Sequence, residues 1–213
     1  MASSPSLTLS FPEADIALLT FDTPDKGANV LSQSVLAELA AHLDELEKRT
    51  DLVGLIITSS KPGMFIAGAD LREFVASLDA EREQIIDTCR QGQELFSRLS
   101  KTPFVTVVAI DGICVGGGAE LAVWCDRRIM SHGDKTEIGF PEVKLGLFPG
   151  WGGTARTPRI VGLGNAVELV TGGESIRPAK ARKMGLVSDV VPAEKLQQAA
   201  INLVRLEQQT GDY

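Results

Sequence analysis

The residues that invite a chemical reading are two glutamates, each at the start of an expected helix. Glu120 closes the run Gly116-Gly117-Gly118-Ala119-Glu120, which follows an apolar stretch at 104–110 and an Asp111-Gly112 turn. Glycine lets a ligand approach the backbone closely, and the first N–H groups of a helix have no partner within it. Such a junction binds an anion or steadies a developing oxyanion. Glu142 follows Pro141, a residue suited to the first position of a helix. Its neighbours Phe140, Val143, Leu145, Leu147 and Phe148 are apolar, and a carboxylate in such surroundings resists ionisation. A third segment, Gly63-Met64-Phe65-Ile66-Ala67-Gly68-Ala69-Asp70-Leu71, also leads from a strand into a helix through small residues. If the strands feeding 67–70 and 116–120 are neighbours, two sets of backbone donors converge on one oxygen, which is the geometry of an oxyanion hole. Each feature alone has an ordinary explanation: tight helix–strand packing, a first-turn carboxylate facing the helix dipole, or a small-residue turn.

The elements that must position these segments alternate between strands and helices, as in an α/β chain. Residues 7–11 and 16–21 predict a hairpin around a polar turn at 12–15. Residues 22–29 form a loop with Pro24 and Gly27. Ser32 is an expected N-cap, followed by Val35, Leu36, Leu39, Leu43 and Leu46 at helical spacing up to Lys48 and Arg49. A buried strand is expected at 52–58, a turn at 59–63, a small-residue loop at 64–69 and a helix opened by Asp70. The helix at 81–100 carries Ile85, Ile86, Cys89, Leu95, Phe96 and Leu99 on its apolar face. After the strand at 104–110 come a glycine-rich loop at 111–118, an apolar helix at 119–125 and a strand at 127–131. Beyond Pro141 the pattern is largely helical, at 141–147, 154–161, 165–171, 178–184 and 193–208, with one strand at 186–191. No fixed-period repeat, low-complexity tract or linker divides the chain.

Composition narrows the function classes. A chain of 213 residues suits one or two domains. A net charge of −7 argues against a nucleic-acid or anionic-membrane surface. The three cysteines Cys89, Cys114 and Cys125 have no C-x-x-C spacing, so no disulfide framework is expected and a reducing compartment, such as the bacterial cytoplasm, is the default. Residues 1–10 lack the features of a signal peptide, and no apolar run is long enough for a membrane span. No metal site is expected, because His42 and His132 are the only histidines and neither has a ligand-spaced partner. Gly162-x-Gly164 is followed by Val167 and preceded by no buried strand, which argues against a nicotinamide site. Neither Gly-x-Ser-x-Gly nor a P-loop is present.

Taken in order, the 65–71 segment, Asp111-Gly112 through Gly116-Gly117-Gly118-Ala119-Glu120-Leu121-Ala122, and Pro141-Glu142-Val143-Lys144-Leu145-Gly146 through Pro149-Gly150-Trp151-Gly152-Gly153-Thr154 resemble the crotonase superfamily, the enoyl-CoA hydratase/isomerase family. The resemblance spans about residues 7–205. It implies a single crotonase-like domain over 1–213, with a ββα spiral core at about 7–190 and the start of a mostly helical C-terminal region at 191–213. It further implies an apparently truncated chain, since family members continue with helices that close the acyl pocket and build a trimer. The native protein is then expected to be a homotrimer or larger, with a covalently linked dehydrogenase region of a β-oxidation protein.

By the same resemblance, Ala69 and Gly117 supply the oxyanion N–H groups, and Glu120 and Glu142 are the two glutamates of a hydratase acting on an enoyl thioester of coenzyme A. Lys26, Ala28, Ala67, Asp70 and Leu71 are expected to contact coenzyme A, which is part of the substrate, so no separate cofactor is implied. The surplus residues between the two glutamates fall in the polar stretch 132–136. An enoyl-CoA isomerase and a catalytically inactive acyl-CoA-binding fragment are the alternatives.

Overall fold

The computed structural model describes residues 4–77, 80–211 and 213. Strands β1 (Leu7–Glu13) and β2 (Ile16–Phe21) form the antiparallel hairpin that the two apolar runs predicted. Next come α1 (Gln33–Leu46), β3 (Gly54–Ser59), β4 (Met64–Ile66), α2 (Leu71–Ala76), α3 (Arg82–Leu99), β5 (Val105–Ile110) and β6 (Ile113–Val115). The chain continues with α4 (Gly117–Trp124), β7 (Arg127–Ser131), β8 (Glu137–Gly139), a 3₁₀ turn (Pro141–Leu145), α5 (Gly153–Val161), α6 (Leu163–Gly172) and α7 (Pro178–Lys183). It ends with β9 (Asp189–Val191), a 3₁₀ turn (Ala193–Lys195) and α8 (Leu196–Thr210). Ser32 caps α1 as expected, its side chain accepting from the Val35 N–H.

A six-stranded sheet runs β1-β2-β3-β5-β7-β9, parallel except at the hairpin, and a second, three-stranded parallel sheet runs β4-β6-β8. The chain therefore repeats one unit. β3, β5 and β7 lie in the large sheet, β4, β6 and β8 follow them into the small one, and each pair then enters a helix or 3₁₀ turn. This is the expected ββα spiral. A parallel bridge between Leu31 and Ala69 adds a shortened turn of the same spiral before α1.

The large sheet is covered on both faces, so β5 is buried along its whole length instead of alternating. Val105, Val107 and Ala109, with Ile16, Ile56 and Ile129, pack against Leu196, Ala200, Ile201 and Val204 of α8. On the opposite face Leu55, Ile57, Val108 and Ile110 meet a larger core that includes Leu39 and Leu43 of α1, Phe96 and Leu99 of α3 and Leu121 and Val123 of α4. The helical region after Pro141 thus extends from the strand core and, through α8, closes its other face.

Several expectations change. Residues 64–69 and 111–118 are not wholly loops, because β4 and β6 lie inside them, and the third small strand, β8, follows the 132–136 turn. On α3 the apolar face is short. Gly92, Phe96 and Leu99 are buried, while Ile85 and Ile86 are 45% and 42% exposed. Residues 81–88, which include the first turns of α3, are exposed, so apolar periodicity there does not mean burial. The 141–147 helix is a five-residue 3₁₀ turn ended by Gly146 in the left-handed region (φ 73°).

Asn29, fully buried, ties the two sheets together. Its Oδ1 accepts from the Thr23 N–H (2.9 Å), and its Nδ2 donates to Ser59 Oγ (2.9 Å) and to the carbonyls of Phe65 (2.9 Å) and Phe21 (3.3 Å). We predict that Asn29→Ala, which strands these buried groups, destabilises the fold by about 1–3 kcal/mol in urea unfolding; an unchanged midpoint contradicts the assignment.

Candidate active site

The three segments singled out by their chemistry leave the same ends of neighbouring parallel strands. Residues 67–70 follow β4, Gly116 follows β6 and Phe140 follows β8. The register aligns Ile66 with Cys114 and Val115 with Gly139, and the Gly116 N–H donates to the Gly139 carbonyl at 3.0 Å. Parallel pairing delivers all three exits to one side, which is why helices starting there point their unpaired N–H groups at one place.

At the first exit the Leu31 N–H donates to the Gly68 carbonyl (2.8 Å) and the Asp70 N–H to the Leu31 carbonyl (3.2 Å). In such a bridge the intervening residue, Ala69, turns its own N–H to the opposite side. Gly68 holds φ at 97°, a region that residues with side chains rarely enter. A Cβ built on Gly68 would stand 3.6 Å from the Gly117 nitrogen, so the two junctions adjoin through backbone. At the second exit Gly117 is the first residue of α4, with its N–H among those a helix cannot pair internally. Gly118 is required by contact alone, since a Cβ there would lie 2.7 Å from the Ile66 carbonyl oxygen.

Glu120 is 3% exposed. Its Oε1 accepts from the N–H groups of Trp151 (2.8 Å) and Gly153 (2.9 Å), at the N-terminus of α5. Two effects compete. Burial disfavours the anion and wins, the nearby Glu142 charge adds to it, and the N–H donors of residues 151–153 oppose it. The pKa is pushed up from its ordinary 4.5 to about 7.

Glu142 sits in the 3₁₀ turn, half-buried, with its pKa raised by burial. Its Oε2 is buried and accepts no hydrogen bond, and its Oε1 would lie 3.5 Å from a Cβ built on Gly116. The glutamate therefore faces the second exit. The source of its burial differs from the expectation: Phe140 is fully buried, but Val143, Leu145, Leu147 and Phe148 turn outward and are 40%, 59%, 38% and 72% exposed. The surplus residues 132–136 form a turn between β7 and β8, closed by the Thr136 N–H to Gly133 carbonyl bond, and leave both glutamates at the exits.

The sequence of the chain matches a family profile described as enoyl-CoA hydratase/isomerase over residues 12–210. The chain belongs to that family. It is 42% identical over 199 residues to the fatty acid oxidation complex subunit alpha of Psychrobacter sp. (strain PRwf-1), covering 93% of this chain and 27% of that protein. Against the protein of the same name from Vibrio vulnificus (strain CMCP6), identity is 43% over 192 residues, with 90% and 27% covered. The chain thus spans about a quarter of the length of these relatives. Among solved structures, a Geobacillus kaustophilus HTA426 enoyl-CoA hydratase superposes with a TM-score of 0.87 at 29% identity, covering 97% of this chain and 76% of that one. Human mitochondrial delta3-delta2-enoyl-CoA isomerase superposes with a TM-score of 0.84 at 30% identity, covering 96% and 81%.

The remaining expected contacts gather at the first exit. Lys26 pairs with Asp70 at 3.9 Å, and Asp70 caps α2 by accepting from the Arg72 N–H. Ala28 and Ala67 are half-buried, and the Ala67 N–H is spent on the Asn29 carbonyl (2.9 Å). Leu71 is 58% exposed. Among the described residues, no group of three or more His, Cys, Asp or Glu is placed to hold a metal ion.

Sequence reading missed Asn29 and the two N–H groups that hold Glu120. The Gly152-Gly153 pair after Trp151 was the available signal for the latter, since α5 starts at those glycines.

The raised pKa of Glu120 has a consequence for stability. Between pH 4.5 and about 7 the folded chain keeps a proton that the unfolded chain has released. The glutamate's contribution is therefore most favourable below pH 4.5 and declines as pH rises to about 7, by an amount on the order of 3 kcal/mol. Urea unfolding at pH 5 and pH 8 is predicted to show a larger loss of stability across that range in the parent chain than in Glu120→Gln; equal losses contradict it.

Proposed function

We propose that this chain is an enoyl-CoA hydratase, adding water across the 2,3 double bond of a trans-2-enoyl thioester in fatty-acid β-oxidation. The observation that carries the reading is the pair of carboxylates with raised pKa, Glu120 and Glu142, beside two adjoining small-residue junctions. Ala69 and Gly117 would donate to the thioester oxygen, where negative charge develops as water attacks C3.

Glu120, anchored by two donors, accepts a proton from the attacking water. Glu142, whose Oε2 accepts no hydrogen bond and is free to face the substrate, delivers a proton to C2. Hydroxyl is added at C3 and hydrogen at C2. Passing the proton from Glu120 to Glu142 through the next water restores the pair, which titrates as a unit. The step uses only carboxylates and backbone donors, so no cofactor is part of it.

The substrate contacts at Lys26, Ala28, Ala67, Asp70 and Leu71, the single-domain organisation of residues 1–213 and a cytoplasmic location belong to the same proposal. So does a covalently linked dehydrogenase region in an oligomer of trimeric or higher order. The length of the relatives, named as subunits of a fatty acid oxidation complex, supports a further region beyond this one, and no described helix is long and apolar enough to cross a membrane.

The test is loss of enoyl absorbance with crotonyl-CoA and a longer trans-2-enoyl-CoA. Glu120→Gln and Glu142→Gln are each predicted to lower kcat by about 10²–10⁴ while acyl-CoA binding and fold persist. Retained hydration in both variants contradicts the two-glutamate assignment. The similarity to an isomerase favours a second reading, in which one glutamate moves a proton between C2 and C4. Turnover of a 3-enoyl-CoA without hydration of the 2-enoyl isomer would establish that reading instead.

A further inference from the structure

Trp151 touches α4 at its start, middle and end. The edge of its ring lies against Gly117, where a built Cβ would stand 2.9 Å from Cζ3 and 3.1 Å from Cε3. Its backbone N–H holds Glu120 at 2.8 Å. Its carbonyl accepts from Nε1 of Trp124, the last residue of α4, at 2.7 Å. On its other side the indole meets α3. A Cβ on Gly92 would stand 2.5 Å from Cδ1 and Nε1, and Phe96 packs edge-on at 5.6 Å between ring centroids. One large ring thus fills the space between two glycines, Gly92 on α3 and Gly117 at the head of α4, as close packing demands.

From this geometry we propose that the Trp151 indole is a positioning residue: it sets the expected oxyanion donor Gly117 and the carboxylate of Glu120 relative to each other, with α3 as its anvil. This rests on the hydratase reading above. Ring and N–H belong to one residue, so a shift of the ring driven from Gly92 moves the Glu120 anchor and disturbs Gly117 together. The groups themselves are displaced but not removed, so substrate still binds. The cost falls on the rate, where a displacement of about 1 Å costs about 10²-fold.

Gly92→Ala tests this without removing any group of the site. The added methyl meets the indole, the substitution favours the helix by about 1 kcal/mol, and a groove of about 740 Å³ between α1 and α3, lined in part by Leu36, Leu95 and Trp151, gives the ring room to retreat. Crotonyl-CoA hydration is to be measured for the parent chain, Glu142→Gln, Trp151→Ala, Gly92→Ala and Gly92→Ala/Trp151→Phe, with circular dichroism as a check on fold.

We expect Trp151→Ala and Gly92→Ala each to lower kcat by about 10–10² with little change in KM. Both should shift the pH–rate profile, because the donors around Glu120 move. The smaller ring in Gly92→Ala/Trp151→Phe should recover much of the loss, a non-additivity that marks direct contact. If the parent hydrates and Glu142→Gln does not, but Trp151→Ala and Gly92→Ala keep the parent kcat and pH profile, the positioning role is overturned and the hydratase reading stands. If the parent itself fails to hydrate, the hydratase reading falls and takes this inference with it.

Discussion

The parallel pairing of β4, β6 and β8 is the constraint on which the site depends. Each strand is three residues long, and together they add only a few side chains, Phe65, Ile66, Cys114 and Ile138, to the core. Their importance is directional. Parallel strands in one sheet end on the same side, so residues 67–70, 116–120 and 140–142, far apart in sequence, arrive side by side. The large sheet supplies the support, because each small strand continues from a large one buried against helices on both faces. The buried Asn29 side chain bonds to β2, β3 and β4 together and ties the two sheets where the first exit begins.

The electrostatics of the site follow from this placement. Glu120 is taken almost wholly out of water, at a cost that helix N-terminal donors only partly offset, and a second carboxylate nearby adds to that cost. A fold selected for stability alone would put an apolar residue there. Holding a carboxylate at the edge of ionisation near neutral pH costs stability and leaves a group able to accept and return a proton within one turnover. Glu142 is different in kind, less buried and with an oxygen that accepts no hydrogen bond. In the proposed hydration, that asymmetry suits the two carboxylates to separate tasks.

Much of this was legible in the sequence. The hairpin, the Ser32 cap, the buried strand at 105–110 and both glutamates are written in local patterns of apolar residues, caps and glycines, and the three ordered motifs pointed to the family. The small sheet was not legible. Met64–Ile66, Ile113–Val115 and Glu137–Gly139 are too short to show a period of two, and each is a strand only because of partners far along the chain. The apolar face of α3 was overread because periodicity reports which side of a helix is apolar, not how much of it is covered; Ile85 and Ile86 lie on it and are exposed. The hold on Glu120 escaped notice because it comes from the backbone of Trp151 and Gly153, where side-chain identity carries no direct signal. Similarly, Val143, Leu145, Leu147 and Phe148 read as a dry wall around Glu142 and in fact face outward.

The most direct test of the account is a crystal structure of the chain with a non-reactive acyl thioester of coenzyme A. The account predicts the thioester oxygen within about 3.2 Å of both the Ala69 and Gly117 nitrogens, with a water between the carboxylates of Glu120 and Glu142 facing C3. A thioester oxygen bound away from either nitrogen, or a C2–C3 unit out of reach of both carboxylates, would contradict it.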